Sequence, residues 1–506
     1  MTRSAAPVVG ALLILAGCRH AEPAPEPTFA AVFPPVMVEL STFSSPVLVD
    51  LDRDGIQDIV FGTGRDRTVP GQGRYYFARE PAIPGYVAAV SGASGKLLWK
   101  TGHPGEAHTI PRFADVNGDS VPDVFMGGRE GAFAAISGAD GTVLWRIPRS
   151  ALPVTPEPYN FFTPAIIADA NGDAAADLVV VYGGNDTRLP GTPRDPAFLL
   201  VVSGEDGAVL HTNQTPDAKE SYAGLVVYRR PDGQDWLYFG TGGETDGGAA
   251  YRVPVASLLD GTFATRAERL IPPGTKGVMA PPTLVELTGD NELDILVSAF
   301  DGRLIALDGA TGRTLWEHRS DGEESYHQPA VVRMTRDGRL GLLYSSGIGV
   351  FPQYTASVHR LFDARNGDIV YEYRDQYSPG GAPLAVDLSG DGIDELVFFS
   401  GNYPVAQAAR IHILHAPSKT LIAHDVPLNL TTTPLIGDPR HTGTLELIGV
   451  AWEITPGEGT PDWRRLRTQL MRLDLGAPTP PFLAWAEYMG SNRDGSYRPP
   501  QPRAAQ

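Results

Sequence analysis

An apolar strand, a nine-residue loop rich in Asp and a second apolar strand recur along this chain in one register, and any fold it adopts must repeat with them. The clearest copies are PVLVDLDRDGIQDIVFG from Pro46, RFADVNGDSVPDVFMGG from Arg112, AIIADANGDAAADLVVVYGG from Ala165, TLVELTGDNELDILVSA from Thr283 and LAVDLSGDGIDELVFFSG from Leu384. A second motif alternates with the first: a strand, a tight Gly turn and a strand ending in an aromatic, as in VAAVSGASGKLLW to Trp99, FAAISGADGTVLW to Trp145 and LIALDGATGRTLW to Trp316. Weaker copies end at His211, Tyr371 and His424. Counted from Ser91, Ser137, Ser203, Asp308, Asp363 and Ala416, the aromatic or His always falls eight residues on.

Asp50, Asp115, Asp169, Tyr228, Glu286, Arg333, Asp387 and Asp438 mark the first loop position of eight modules, 47 to 65 residues apart. Each module has room for four strands joined by turns. A four-stranded sheet with two apolar faces cannot hide them alone, but a ring of such sheets buries both. The expectation is an all-β chain forming a single eight-bladed β-propeller of four-stranded antiparallel blades. No linker between Gly204 and Asp308 favours two smaller propellers, and an open solenoid is the remaining alternative. With 57 Gly and 45 Pro among 506 residues, long helices are disfavoured.

The acidic loops resemble the FG-GAP or VCBS repeats of integrin α-subunit propellers. SGASGKLLW, SGADGTVLW and DGATGRTLW resemble the repeats of propellers related to PQQ quinoproteins. Together the two resemblances cover nearly all of the chain after its leader. WAEYMGSNRDGSY, Trp485 to Tyr497, is loosely similar to a closing segment of such lipoproteins and is expected to lie against the end of the ring.

In DLDRDGIQD the carboxylates Asp50, Asp52, Asp54 and Asp58 occupy positions 1, 3, 5 and 9, with the position 7 carbonyl of Ile56 as a further ligand. Oxygen ligands at this density suit a hard, flexible cation, and calcium fits best. The other candidate sites are Asp115, Asn117, Asp119 and Asp123; Asp169, Asn171, Asp173 and Asp177; Glu286, Thr288, Asp290 and Asp294; and Asp387, Ser389, Asp391 and Glu395. The competing reading of any one copy is a solvated Asp-rich turn. Five copies in one register favour several structural Ca2+ sites. Tyr228 and Arg333 replace the first ligand in two further modules, and Arg440 intrudes in the loop from Asp438, so no metal is expected there.

Residues 1–17 read as an export signal: Arg3, an apolar run from Val8 to Leu15, then small residues. Leu15-Ala16-Gly17-Cys18 resembles the bacterial lipobox, which implies cleavage before Cys18 and acylation of it. Residues 18–35, with AEPAPEP, are expected to form a Pro-rich tether, residues 36–485 the propeller, and residues 486–506 a closing segment and tail. Cys18 is the only Cys, so no internal disulfide can form. Arg19, not Asp, follows it, which points to the outer membrane as the site of a lipid-anchored envelope protein. The net charge of −18 argues against nucleic acid as a partner.

Long connections on the face opposite the acidic loops carry His108, Tyr159, Tyr222, Tyr326, His327 and Tyr377, a possible ligand funnel for a glycan or peptide. The competing reading is that they plug the rim. No catalytic set is assigned: HPGEAH, His103 to His108, lacks the spacing of a zinc protease, and Trp99, Trp145 and Trp316 read as inter-blade packing. The expected role is a binding or scaffold module held by lipid to the bacterial envelope, its protein or glycan partner unspecified. The alternative is a propeller enzyme, a PQQ-dependent dehydrogenase or polysaccharide lyase.

Overall fold

Many inner strands are buried at every position, with no alternation: Asp58–Gly62, Gly85–Val90, Asp123–Gly127 and Leu384–Val386 have no exposed position. Strands covered on both faces must read this way. A computed structural model shows what covers them. It describes residues 27–38, 43–64, 68–71, 74–77, 84–155, 159–184, 192–351, 353–401, 409–426, 428–430, 432–453 and 468–498. The leader, Cys18 and the first half of the tether lie outside the described residues.

The fold is an eight-bladed β-propeller with four-stranded antiparallel blades. The first blade comprises Val47–Val49, Asp58–Gly62, Gly85–Val90 and Leu97–His103 in sheet order, and the second Arg112–Ala114, Asp123–Gly127, Phe133–Ile136 and Val143–Arg146. The next five repeat this order. Outer strands face water on one side, and Leu97–His103 duly alternates between exposed and buried. Among the described residues the helices are single turns, Phe263–Arg266 being the one α-helical turn, and no helix is long and apolar enough to cross a membrane.

The chain closes the ring with its N-terminal end. Leu435–Gly437, Thr444–Glu453 and Thr468–Pro478 supply three strands of the eighth blade; Val36–Val38 and Ala30–Ala31 complete it by pairing with Thr468–Pro478, Val36 opposite Leu470 and Ala30 opposite Asp474. Ordered pairing therefore begins at residue 30, inside the stretch whose composition suggests a tether. Cores form between blades: Val60, Val87 and Ala89 of the first meet Val124, Met126 and Ala134 of the second, while Leu48 and Phe61 meet Leu435 and Ile448 of the eighth.

Each repeated Trp bridges two blades. The indole N–H of Trp99 donates to the carbonyl of Gly138 at 2.8 Å, that of Trp145 to Gly204 at 2.8 Å, and that of Trp316 to Ala364 at 2.9 Å. The ring lies flat on the next turn, where a Cβ on Gly141 would approach Trp99 to 2.8 Å and one on Gly207 would approach Trp145 to 2.5 Å. Both glycines also have positive φ, 77° and 76°, which a side chain would strain. Buried hydroxyls stitch the inner strands together: Ser44 donates to the carbonyl of Thr109, and the N–H groups of Ile110, Ala382 and Thr433 donate to Thr163, Thr433 and Ser45.

The C-terminal segment runs along the axis. Trp485 exchanges two backbone hydrogen bonds with Ala385 of the seventh blade, and the carbonyl of Ala486 accepts from Ile436 of the eighth. Ser496–Tyr497 pairs in parallel with Leu284 and Val285 of the fifth. Arg112 of the second blade lies 2.8 Å from the sulfur of Met489, Arg333 of the sixth covers the Phe482 ring, and Arg498 covers Tyr228 of the fourth. One short segment can meet inner strands of six blades only at the centre of the ring. Trp485 and Met489 are fully buried there.

Candidate metal centres and funnel face

The strand registers fix where the acidic loops go. Each loop joins the innermost strand to the second, and its ninth residue starts that second strand with its side chain turned back inside. In the first blade one carboxylate oxygen of Asp58 accepts the N–H of Leu51 at 2.9 Å and the other the N–H of Gly92 at 3.0 Å. Asp123, Asp177 and Asp294 repeat both contacts, with Val116 and Gly138, Ala170 and Gly204, and Leu287 and Gly309. The ninth residue thus clamps the acidic loop to the Gly turn of its own blade. The two motifs share one face because this bond joins them.

Within the loops, side-chain oxygens accept backbone N–H groups two to five residues ahead: Asp50 from Arg53 and Gly55, Asp52 from Asp54, and Asp54 from Ile56. Such Asx turns curl the loop until the odd positions converge. Oxygens of Asp50, Asp52 and Asp58 come within 4.8 Å of one another, the one group of three acidic or metal-binding side chains so placed among the described residues. In the second loop the Asn117 amide lies 3.2 Å from Asp119 and 3.1 Å from Asp123, and in the third Asn171 lies 2.7 Å from Asp173.

The electrostatics favour a cation. Burial raises the carboxyl of Asp58, the Leu51 and Gly92 N–H groups oppose it, and the charge of Asp52 raises it further. Asp123, Asp177 and Asp294 are raised in the same way, each with a neighbouring loop carboxylate adding to burial. In the seventh blade, burial together with Asp387 pushes Glu395 up to about 7. One carboxylate oxygen of Glu286 and one of Glu395 are buried with no hydrogen-bond partner. Carboxylates, a carbonyl and orphaned oxygens form an all-oxygen donor set that fits calcium, which would neutralise the crowded charge.

Three modules carry an arginine where the loop pattern breaks. Arg230 of the fourth blade pairs with Glu292 of the fifth at 2.8 Å, Arg333 of the sixth with Asp394 of the seventh at 2.6 Å, and Arg440 of the eighth with its own Glu446 at 2.8 Å. Loss of ligands in these blades goes with a guanidinium in the protein itself.

On the opposite face the six candidate funnel residues do not form one ring. His108 lies edge-on to Phe162, which lies edge-on to Tyr222. Tyr326 packs between Phe300 and Phe351 and donates to Glu244. Tyr222 donates to Glu220 at 3.0 Å, and Tyr354 donates to Glu324 at 3.0 Å. Burial pushes Glu220 up to about 7 against the pull of Arg194. Tyr159 is buried in an inter-blade core beside Tyr182, His327 lies under the surface, and Tyr377 stands apart beneath Arg410. The three glutamates and Tyr354 were missed because nothing in their local sequence sets them apart; Glu244 meets Tyr326 across 82 residues and Glu324 meets Tyr354 across 30.

A family model, the FAM234A/B β-propeller, matches residues 37–253. None of the curated proteins matches the chain in sequence. Solved structures align over most of its length. The europium-containing methanol dehydrogenase is 11% identical, covering 82% of this chain and 92% of its own, with a TM-score of 0.55. The Saccharomyces cerevisiae protein Sqt1 is 10% identical over 87% and 98%, with a TM-score of 0.52, and the V. cholerae biofilm matrix protein Bap1 is 13% identical over 91% and 93%, with a TM-score of 0.51. What they share with this chain is the propeller. Identities this low carry the fold and no activity.

Proposed function

We propose that the chain is a lipid-anchored, calcium-binding β-propeller that works as a binding or scaffold module on the bacterial cell envelope. The observation that carries this reading is the filled axis: residues 482–497 occupy the centre of the ring, so a partner meets loops at the disc face rather than a central cavity. Calcium in the acidic loops would fix one face. The other presents Tyr222, Tyr326, Phe351 and Tyr354 with Glu220, Glu244 and Glu324, aromatic planes beside hydrogen-bond acceptors, which suit an exposed glycan or peptide. The lipobox at Cys18 and the Pro-rich stretch after it would hold the disc near a membrane.

Binding of purified envelope polysaccharides and outer-membrane proteins to the mature chain, measured by surface plasmon resonance, tests the reading. Saturable binding that is lost when Tyr222→Ala and Tyr326→Ala are combined, with the fold intact by circular dichroism, is the expected result. Turnover of an alcohol after addition of PQQ, or cleavage of a polysaccharide, would replace the scaffold with an enzyme.

A further inference from the structure

The seventh blade carries all the elements of the acidic loop, and its surroundings differ from those of the other four. In the first, second, third and fifth blades the second oxygen of the ninth residue is satisfied by the N–H of a Gly in the turn. In the seventh blade Leu396 stands opposite Leu414, as Ile59 stands opposite Val90 in the first, so Ala416 holds that place, and no hydrogen bond from its N–H to Glu395 forms. Glu395 spends one oxygen on the N–H groups of Leu388 and Ser389, at 2.6 and 3.2 Å, and its other oxygen is left without a partner in a residue that is 0% exposed. The hydroxyl of Ser389, at position 3, is buried beside it and faces the Glu395 carboxyl. A buried carboxylate oxygen without a partner and a hydroxyl beside the same carboxyl therefore stand in the loop, and both are donors a cation could take.

Two guanidinium groups of the sixth blade reach the same loop. Arg336 donates from Nε to the carbonyl of Asp391 at 2.7 Å and from Nη2 to its carboxylate at 3.3 Å. Arg333 holds Asp394 at 2.6 Å, and its Nη2 stands 4.0 Å from the carboxylate of Asp387, the first ligand. His415 lies 3.8 Å from the Asp391 oxygen that Arg336 holds. Among the described residues, no ligand carboxylate of the other four loops is paired with a guanidinium; the second loop receives Arg53 on the carbonyl of Asp119, and the fifth receives Arg230 on Glu292 at position 7, whose side chain is not a ligand. A divalent ion entering the seventh loop must displace or sit beside positive charge, and like charges a few ångströms apart repel even where solvent screens them.

We propose that the acidic loop of the seventh blade is a latent fifth calcium site, held weak by Arg333 and Arg336 of the sixth. It rests on the calcium reading of the other four loops. The ring then carries tight calcium in the first, second, third and fifth blades, arginine in the fourth, sixth and eighth, and a contest between the two in the seventh. Occupancy of that one loop becomes a function of calcium concentration, and filling it would loosen the arginine contacts that join the sixth blade to the seventh.

Equilibrium dialysis of the mature full-length chain over a range of free calcium, with bound metal counted by elemental analysis, tests this. Four ions should bind first and a fifth at a concentration at least about tenfold higher. Asp387→Asn should remove the late ion alone, whereas Asp50→Asn should remove an early one. Arg336→Gln, on an exposed side chain, should move the late step several-fold towards the early four. Because Arg333 neutralises the buried Asp394, it is replaced together with it, as Arg333→Met with Asp394→Asn, and the late step should move the same way. Five equivalent ions, loss of an early ion in the Asp387→Asn chain, or a late step that neither arginine variant moves would overturn the proposal while leaving calcium in the other loops intact. No bound calcium in any variant would bring down the calcium reading itself.

Discussion

Replacing Trp485 by alanine removes from the axis the largest fully buried side chain among the described residues. Its ring belongs to a core that includes Val285 of the fifth blade, Leu342 of the sixth and Ala385 and Leu396 of the seventh, with Tyr497 from its own segment. The backbone bonds to Ala385 hold the chain in place around the hole, so collapse into it is restricted. Truncations of this kind cost about 3–5 kcal/mol. Unfolding entropy scales at about 2.1 cal/mol/K per residue, so a chain of this size has about 1 kcal/mol/K at its midpoint, and Trp485→Ala should lower Tm by about 4 °C. Trp485→Phe, which keeps most of the volume, should lower it by less than half as much. Differential scanning calorimetry in fixed calcium reads both. A shift under 1 °C for Trp485→Ala would mean that the segment does not fill the axis in solution, and the argument for disc-face recognition would lose its basis.

Removal of calcium with EDTA should lower Tm by several degrees in the same assay: at a free concentration tenfold above Kd each site adds about 1.4 kcal/mol, and four of them near 6 kcal/mol. A Tm that ignores calcium would refute a structural role. Burial holds His103 and His327 at about 4 and His108 and His359 at about 3, below the ordinary 6.5. The native state then binds fewer protons than the unfolded one, so this contribution to stability is full above pH 6.5 and falls by about 1.4 kcal/mol per pH unit per imidazole down to about pH 4; urea midpoints that stay flat from pH 7 to 5 would contradict it. Cys18→Ser should abolish metabolic labelling with palmitate, and persistent labelling would rule out the lipobox reading.

The repeat made the architecture legible because every blade solves the same burial problem with the same residues. Trp99, Trp145 and Trp316 recur at a fixed distance from their turns because each must reach the carbonyl of the next blade. Asp58, Asp123 and Asp177 recur because each must clamp a loop to a turn, a task the sequence pattern shows only as a candidate ligand. What was hidden depends on contacts between distant parts of the chain. Nothing local in Ala30–Ala31 or Val36–Val38 announces a partner at residues 468–474. WAEYMG reads as an apolar turn until Met489 meets Arg112, 377 residues away. On the funnel face, Tyr159 and Tyr326 look alike in sequence, yet one is walled in by Phe161 and Tyr182 and the other stands half-buried beside Glu244.

Elemental analysis of the mature chain, purified in calcium and washed free of loosely held ions, weighs the central claim most directly. Four tightly held calcium ions per chain are predicted. A protein that folds into its eight blades and holds none would show that the converging carboxylates are turns and clamps alone, and the calcium-loaded scaffold would have to be given up.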